Sequence, residues 1–245
     1  MRNLLLTLAF DGSAFHGWQV QPNGFTVQQA LQDAIERVTS VRTSVTGCSR
    51  TDAGVHARAF CCNFRTESRV PCEKFPAALN FYLPEQIAVR ACREVDESFH
   101  ARYDCAGKTY RYHVHNTGVR DQFLLRRAAL EPFPLEADLL SQQADDFLGT
   151  HDFTSFCAAG SSVKTTIRTV TRFDVTREGD ELYFFVRADG FLYNMVRIMV
   201  GTLLDIAKGR LPEDCVPGIL AAKDRTRAGV TAPAEGLTLW EVDYR

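Results

Sequence analysis

Hydrophobic and polar positions along this chain follow two periods, and the changes between them mark out its elements. Residues 4–10 (Leu4-Leu5-Leu6-Thr7-Leu8-Ala9-Phe10) are an apolar run cut off by Asp11 and Gly12, which reads as a buried first strand. A loop over 11–25, with Gly, Asn, Pro and the aromatic Trp18, follows. Thr26-Val27-Gln28-Gln29 sets a hydroxyl and an amide three residues apart, the capping-box spacing. Behind it Val27, Ala30, Leu31, Ala34, Ile35 and Val38 recur at helical intervals, so this segment is an amphipathic helix. A turn around Asp52 leads into a strand from Ala57 to Phe64. Residues 73–82 read as a short helix interrupted near Pro76, and 86–95 as another strand. This order predicts one βαββαβ unit of ferredoxin type over about the first 105 residues.

Ser98–Gly107 reads as a linker, and a second unit begins after it. From Lys108 to His115 the chain alternates, with Tyr110, Tyr112 and Val114 on one face of a strand and Arg111, His113 and His115 on the other. Leu135–Leu148 is a helix stopped by Gly149. Residues 167–176 and 181–188 are two strands of a hairpin around Glu178-Gly179-Asp180. Residues 193–207 are apolar almost all round, which predicts a buried helix, yet Arg197 sits inside it. Residues 237–243 alternate as a closing strand. The pattern therefore divides the chain into an α/β half over 1–105 and another over 106–245.

Composition adds limits rather than identity. A chain of 245 residues with 45% hydrophobic and 24% charged positions is that of an ordinary globular protein. No stretch approaches the ~20 apolar residues that cross a bilayer. The first residues have the charge and short apolar run of a signal peptide, but Asp11-Gly12 follows with no cleavage pattern. The eight cysteines contain no C-x-x-C pair, which argues for free thiols and a cytosolic location over zinc or disulfides. The net charge is −2, but charge is sorted by segment. Residues 42–69 carry five arginines against two acids, 102–127 carry six basic residues against two acids, and 131–152 carry six acids and no Lys or Arg. Such sorting fits a polyanion-binding face, and it equally fits arginines solvating strand surfaces.

The candidate chemistry gathers in Gly47-Cys48-Ser49-Arg50-Thr51-Asp52-Ala53-Gly54-Val55-His56-Ala57, where one carboxylate sits in a turn beside an arginine. His56 is either a base near Asp52 or the start of a strand. Arg197, on an apolar helix, must either reach solvent or meet a carboxylate, with Asp52 one candidate among several. Tyr110 and Tyr112 are core rings or a platform for a planar base. His113 and His115 share a face but have no third metal ligand at suitable spacing. No phosphate-binding glycine loop, zinc-protease motif or serine-nucleophile elbow is present.

Arg50-Thr51-Asp52-Ala53-Gly54-Val55-His56-Ala57 resembles the characteristic block of the tRNA pseudouridine synthase A family. The resemblance extends through Phe10-Asp11-Gly12 with Phe15, Gly17-Trp18-Gln19, Thr26-Val27-Gln28, and Lys108-Thr109-Tyr110-Arg111-Tyr112. It continues in Asp152-Phe153-Thr154-Ser155-Phe156, Thr166-Ile167-Arg168, Phe191 to Arg197 with Gly201, and Gly236-Leu237-Thr238-Leu239. It implies an α+β fold of two ferredoxin-like halves whose antiparallel sheets meet at a central, positively charged cleft. It implies conversion of uridine to pseudouridine at positions 38, 39 and 40 of the tRNA anticodon stem-loop, with no cofactor or metal, by a cytoplasmic homodimer. By position, Asp52 is then the catalytic nucleophile, Arg50 helps extrude the nucleotide, Tyr110 stacks on the uracil, and Arg197 partners the aspartate. Whether the carboxylate attacks C6 of the base or C1′ of the ribose is left open. A non-catalytic RNA-binding protein and a small-molecule hydrolase using Asp52 are the competing readings.

Overall fold

A computed structural model describes residues 1–160 and 163–244. Among them are ten strands and five α-helices, a mixed α+β chain with mostly antiparallel pairing. Two compact units separate: Met1–Ala106 with the segment from Thr238 onward, and Gly107–Leu237.

The first unit runs β1 (Arg2–Phe10), α1 (Val27–Thr39), β2 (Val45–Gly47), β3 (His56–Thr66), α2 (Phe75–Asn80) and β4 (Ile87–Val95). Its strands lie in the order β4-β1-β3, with β2 on β3, and all these pairs are antiparallel. The N-cap half of the expected capping box forms: Thr26 Oγ1 accepts from the Gln29 main-chain amide at 3.3 Å, and Ser40 in the left-handed region ends the helix. The α1 stripe Val27, Ala30, Leu31, Ala34 and Ile35 is buried, as are Leu4, Leu6, Leu8, Phe60, Phe64 and Phe75. Pro76 does not interrupt the second helix. It stands in the first turn of α2, where its missing N–H would have no helical partner in any case.

Residues 98–107 are not a free linker. Two buried asparagines hold them to the sheet: Asn3 Nδ2 donates to the carbonyls of Asp96 and Phe99, and Asn63 Oδ1 accepts from the Ala101 amide at 2.9 Å. Asn63 Nδ2 also donates to Asn3 Oδ1, so each side-chain amide both donates and accepts. Ala101 is wholly buried in consequence.

The second unit contains β5 (Cys105–His115), β6 (Ala129–Leu130), α3 (Ala137–Asp145), β7 (Gly149–Asp152), β8 (Ile167–Glu178), β9 (Glu181–Ala188), α4 (Met195–Ala207) and α5 (Val216–Ala222). Its strand order is β5-β9-β8-β7, antiparallel throughout, with β6 parallel to β5. Helix α3 is shorter than the pattern suggested, and Gly149 at φ +100 starts a strand beyond it. Gly179 at φ +61 turns the β8–β9 hairpin as expected. Nearly every residue of α4 is buried. Gly201 is the reason the chain can lie on it: a Cβ there would sit 1.9 Å from the Val230 carbonyl oxygen. Thr202 Oγ1 accepts from the Gly229 amide and Asp205 Oδ2 from the Val230 amide, so the covering segment is bonded as well as packed.

The Asp152-Phe153-Thr154 block is an anchor. Asp152 Oδ1 accepts from the Thr154 amide and from the hydroxyls of Thr154 and Thr166, and Lys223 Nζ lies 2.9 Å from Oδ2. The Thr166 hydroxyl, then Thr154, then Lys223 hold its carboxyl well below the usual carboxylate range.

The closing strand β10 (Leu237–Tyr244) belongs from Thr238 onward to the first unit, not to the second half as its place in the chain suggested. It pairs in parallel with β3, Thr238 beside His56 and Leu239 beside Ala57. The Tyr244 hydroxyl donates to the Ala101 carbonyl at 2.9 Å, and its ring lies 5.0 Å from that of Phe99. The physical reason is that β3 offers an edge that a strand can pair with, and chain order does not decide which unit supplies that strand.

Replacing Tyr244 with Phe leaves the Ala101 carbonyl without its donor and is expected to cost about 1–2 kcal/mol, read by urea denaturation. Because the folded pKa of Asp152 is depressed, its contribution is complete above the ordinary aspartate value near ~3.9 and is lost as pH falls below it. Asp152→Asn should therefore lower stability at neutral pH by about 1–3 kcal/mol and flatten the acid limb of a stability–pH curve.

Candidate active site

In the first unit, main-chain contacts hold the segment carrying Asp52 from both sides. The turn itself is closed by the Val55 amide donating to the Asp52 carbonyl at 3.1 Å, with Gly54 at φ +81 as its third residue. The loop after β1 grips the residues before the turn. Trp18 N donates to the Thr51 carbonyl at 3.0 Å, and Gly17 at φ +84 leaves no room for a side chain, since a Cβ would come 2.5 Å from that same oxygen. It grips the residues after the turn as well. A Cβ on Gly12 would fall 1.9 Å from the Val55 carbonyl oxygen, and the Gly12 amide donates to His56 Nδ1 at 3.1 Å.

Behind this loop the Trp18 ring packs on Phe60, centroids 4.1 Å apart. The Gly17 and Trp18 carbonyls accept from the first amides of α1, Val27 and Gln28. The glycines and tryptophan of the Asp11–Trp18 block are thus there to position the Asp52 turn. Asp52 is half-buried, Thr51 and Val55 on either side are buried, and Arg50 is exposed. His56 is the first residue of β3 and is buried.

In the second unit, Tyr110 stands in the middle of β5, buried, with the edge of Phe191 against it at 5.0 Å and 87°. Phe191 went unassigned as a Tyr110 partner because it lies eighty-one positions on and only the fold brings it there. Tyr112, two residues along the same face, is an anchor: its hydroxyl donates to the Pro233 carbonyl at 2.8 Å, and burial pushes its phenol far above the ordinary range. Arg197 lies in the first turn of α4. Its Nε donates to the Ala232 carbonyl at 2.7 Å and its Nη1 to Asn194 Oδ1 at 2.9 Å, and Asn194 sits in the left-handed region at φ 59 just before the helix. Arg197 and Tyr112 therefore hold two successive carbonyls of one segment.

His113 and His115 do not form an open ligand pair. Both donate to Glu181 on β9, His113 Nε2 at 2.5 Å and His115 Nδ1 at 2.6 Å. Burial pushes the His113 imidazole below its ordinary pKa, against the opposing pull of Glu181. Among the described residues no cluster of three or more His, Cys, Asp or Glu is arranged to hold a metal ion.

Each unit thus presents a preorganised group: a carboxylate on a main-chain-clamped turn, and an aromatic ring and a guanidinium held on β5 and α4. A family model described as tRNA pseudouridine synthase matches residues 7–104 and 144–245, and the chain belongs to that family. It is 48% identical over 244 residues to the tRNA pseudouridine synthase A of Brevibacillus brevis, spanning the whole of both chains. It is 45% identical over 244 residues to that of Acetivibrio thermocellus, again over the whole of both. With the protein of the same name from Moorella thermoacetica it shares 47% over 243 residues, covering 98% of this chain and 99% of the relative.

Gly17→Ala would force an L side chain into the left-handed region at a cost of about 1–2 kcal/mol before any clash with Thr51 is counted. The expected outcome is a lower midpoint in urea and a loss of turnover larger than any loss of substrate affinity.

Proposed function

We propose that this chain isomerises uridine to pseudouridine in tRNA, at positions 38, 39 and 40 of the anticodon stem-loop. The observation that carries the reading is full-length similarity, at 48% identity, to a tRNA pseudouridine synthase A, combined with an aspartate turn clamped by the loop of the same unit. Substrate and product are isomers: the N1–C1′ bond breaks, the uracil turns, a C5–C1′ bond forms, C5 loses a proton and N1 gains one. The overall change needs no redox partner or group donor.

Asp52 is the proposed nucleophile. A nucleophilic carboxylate must be ionised, and burial under a base opposes ionisation while a neighbouring guanidinium favours it. Arg197 is proposed for that second role, as the resemblance implies. Its two bonds to Ala232 and Asn194 support it by fixing the guanidinium. Tyr110 is proposed to stack on the uracil, and stacking of this kind contributes about 1–3 kcal/mol. Exposed Arg50 is proposed to enter the space left by the flipped nucleotide, offsetting part of a cost of a few kcal/mol. The basic runs over 42–69 and 102–127 are proposed to line a positive cleft that contacts tRNA phosphates. A homodimer of ferredoxin-like halves acting in the cytoplasm, without cofactor, completes the reading. No helix among the described residues is long and apolar enough to cross a membrane.

Asp52→Ala and Asp52→Asn are expected to abolish pseudouridine formation, read by carbodiimide modification and primer extension on unmodified tRNA, while leaving tRNA binding largely intact. Full activity in the Ala variant would remove the nucleophile. Arg197→Ala should lose both activity and thermal stability, since the Ala232 carbonyl also loses its donor. tRNA affinity that falls steeply with salt separates this reading from a small-molecule hydrolase.

A further inference from the structure

His56 is in a position that the reaction outlined above does not use. It opens β3, four residues after Asp52, with Thr238 of β10 beside it in register. Its Nδ1 has two neighbours of opposite character: the Gly12 amide donates to it at 3.1 Å, and Asp11 Oδ1 lies 3.2 Å away. An amide can donate only to a bare ring nitrogen, so the imidazole that makes this bond is neutral and carries its proton on Nε2. That Nε2 is buried and has no hydrogen-bond partner among the described residues. A buried N–H left unpaired in a packed strand calls for an explanation.

We propose that His56 is a positioning residue for Asp52, acting as a neutral imidazole whose Nδ1 pins the Gly12 loop against the far end of the Asp52 turn. The inference rests on the reading of Asp52 as the nucleophile. Gly12 already meets Val55 main chain to main chain, and Val55 closes the turn on Asp52, so the path from Nδ1 to the Asp52 main chain runs through three consecutive contacts. The unpaired Nε2–H follows from keeping the acceptor on Nδ1.

The test compares His56→Asn, whose Oδ1 can replace Nδ1 as acceptor, with His56→Leu, which fills space without one. The readouts are single-turnover rate and binding of unmodified tRNA. His56→Leu should slow the chemical step by roughly 10- to 100-fold, as a small misplacement of a reacting group does, with tRNA affinity unchanged. His56→Asn should recover most of the rate. Equal losses in the two variants, or a wild-type rate in a folded His56→Leu, overturn the proposal. If His56→Leu does not fold, His56→Asn decides alone: a single-turnover rate near that of the unmodified protein supports the proposal, and a roughly 10- to 100-fold loss with tRNA affinity unchanged overturns it. Activity retained in Asp52→Ala would instead defeat the nucleophile reading, whatever the His56 variants do.

Discussion

The close approach of one main chain to another at Gly12 and Gly17 is the constraint from which the candidate site follows. A carboxylate on an ordinary surface turn is placed by its own rotamer and by whatever side chains pack nearby. Asp52 is placed by a turn whose two flanks touch a second segment of backbone at distances that admit no Cβ. Main-chain atoms have far fewer ways to relax than side chains, and a close-packed interior transmits their positions. The Trp18 ring on Phe60 and the α1 N-terminus on the Gly17 and Trp18 carbonyls fix the clamping loop in turn. Precision at the turn is thus inherited from a strand, a helix and the loop between them.

The second unit uses the same device for a cation. Gly201 and Gly229 let residues 229–232 lie directly on α4. The carbonyls of Ala232, at its end, and Pro233, just beyond it, then become acceptors for Arg197 and Tyr112. A guanidinium on an apolar helix would be costly if left unsolvated. Here two of its donors are met by Ala232 and Asn194, so the charge is carried at a defined place on a rigid element.

Much of this was legible from one-dimensional pattern, and the reasons differ by element. The α1 stripe and its Thr26 cap were readable because helix periodicity and capping are local and their partners lie within four residues. The 178–180 turn was readable because positive φ demands glycine. Pro76 was misplaced in meaning, since a helix break and a helix start share the residue and differ only in what precedes it. Residues 98–107 looked like a linker because their polar composition hides bonds to Asn3 and Asn63, far earlier in the chain. Asp152 read as one member of a shared block, and only its three donors and Lys223 identify it as an anchor.

The sequence alone determined α1, α4 and the longer strands, though not β2, β6, β7 or α5, and pointed to Arg50, Asp52, Tyr110 and Arg197, because residue type, spacing and order carry that information without coordinates. The tertiary structure decided what surrounds them: that Gly12 and Gly17, from the loop after β1, bracket the Asp52 turn, that Phe191 edges onto Tyr110, that His113 and His115 are spent on Glu181, and that the last strand returns to β3. Each of these is a contact between segments distant along the chain. Such contacts are settled by which surfaces fit and which buried donors find acceptors, and no local period encodes that choice.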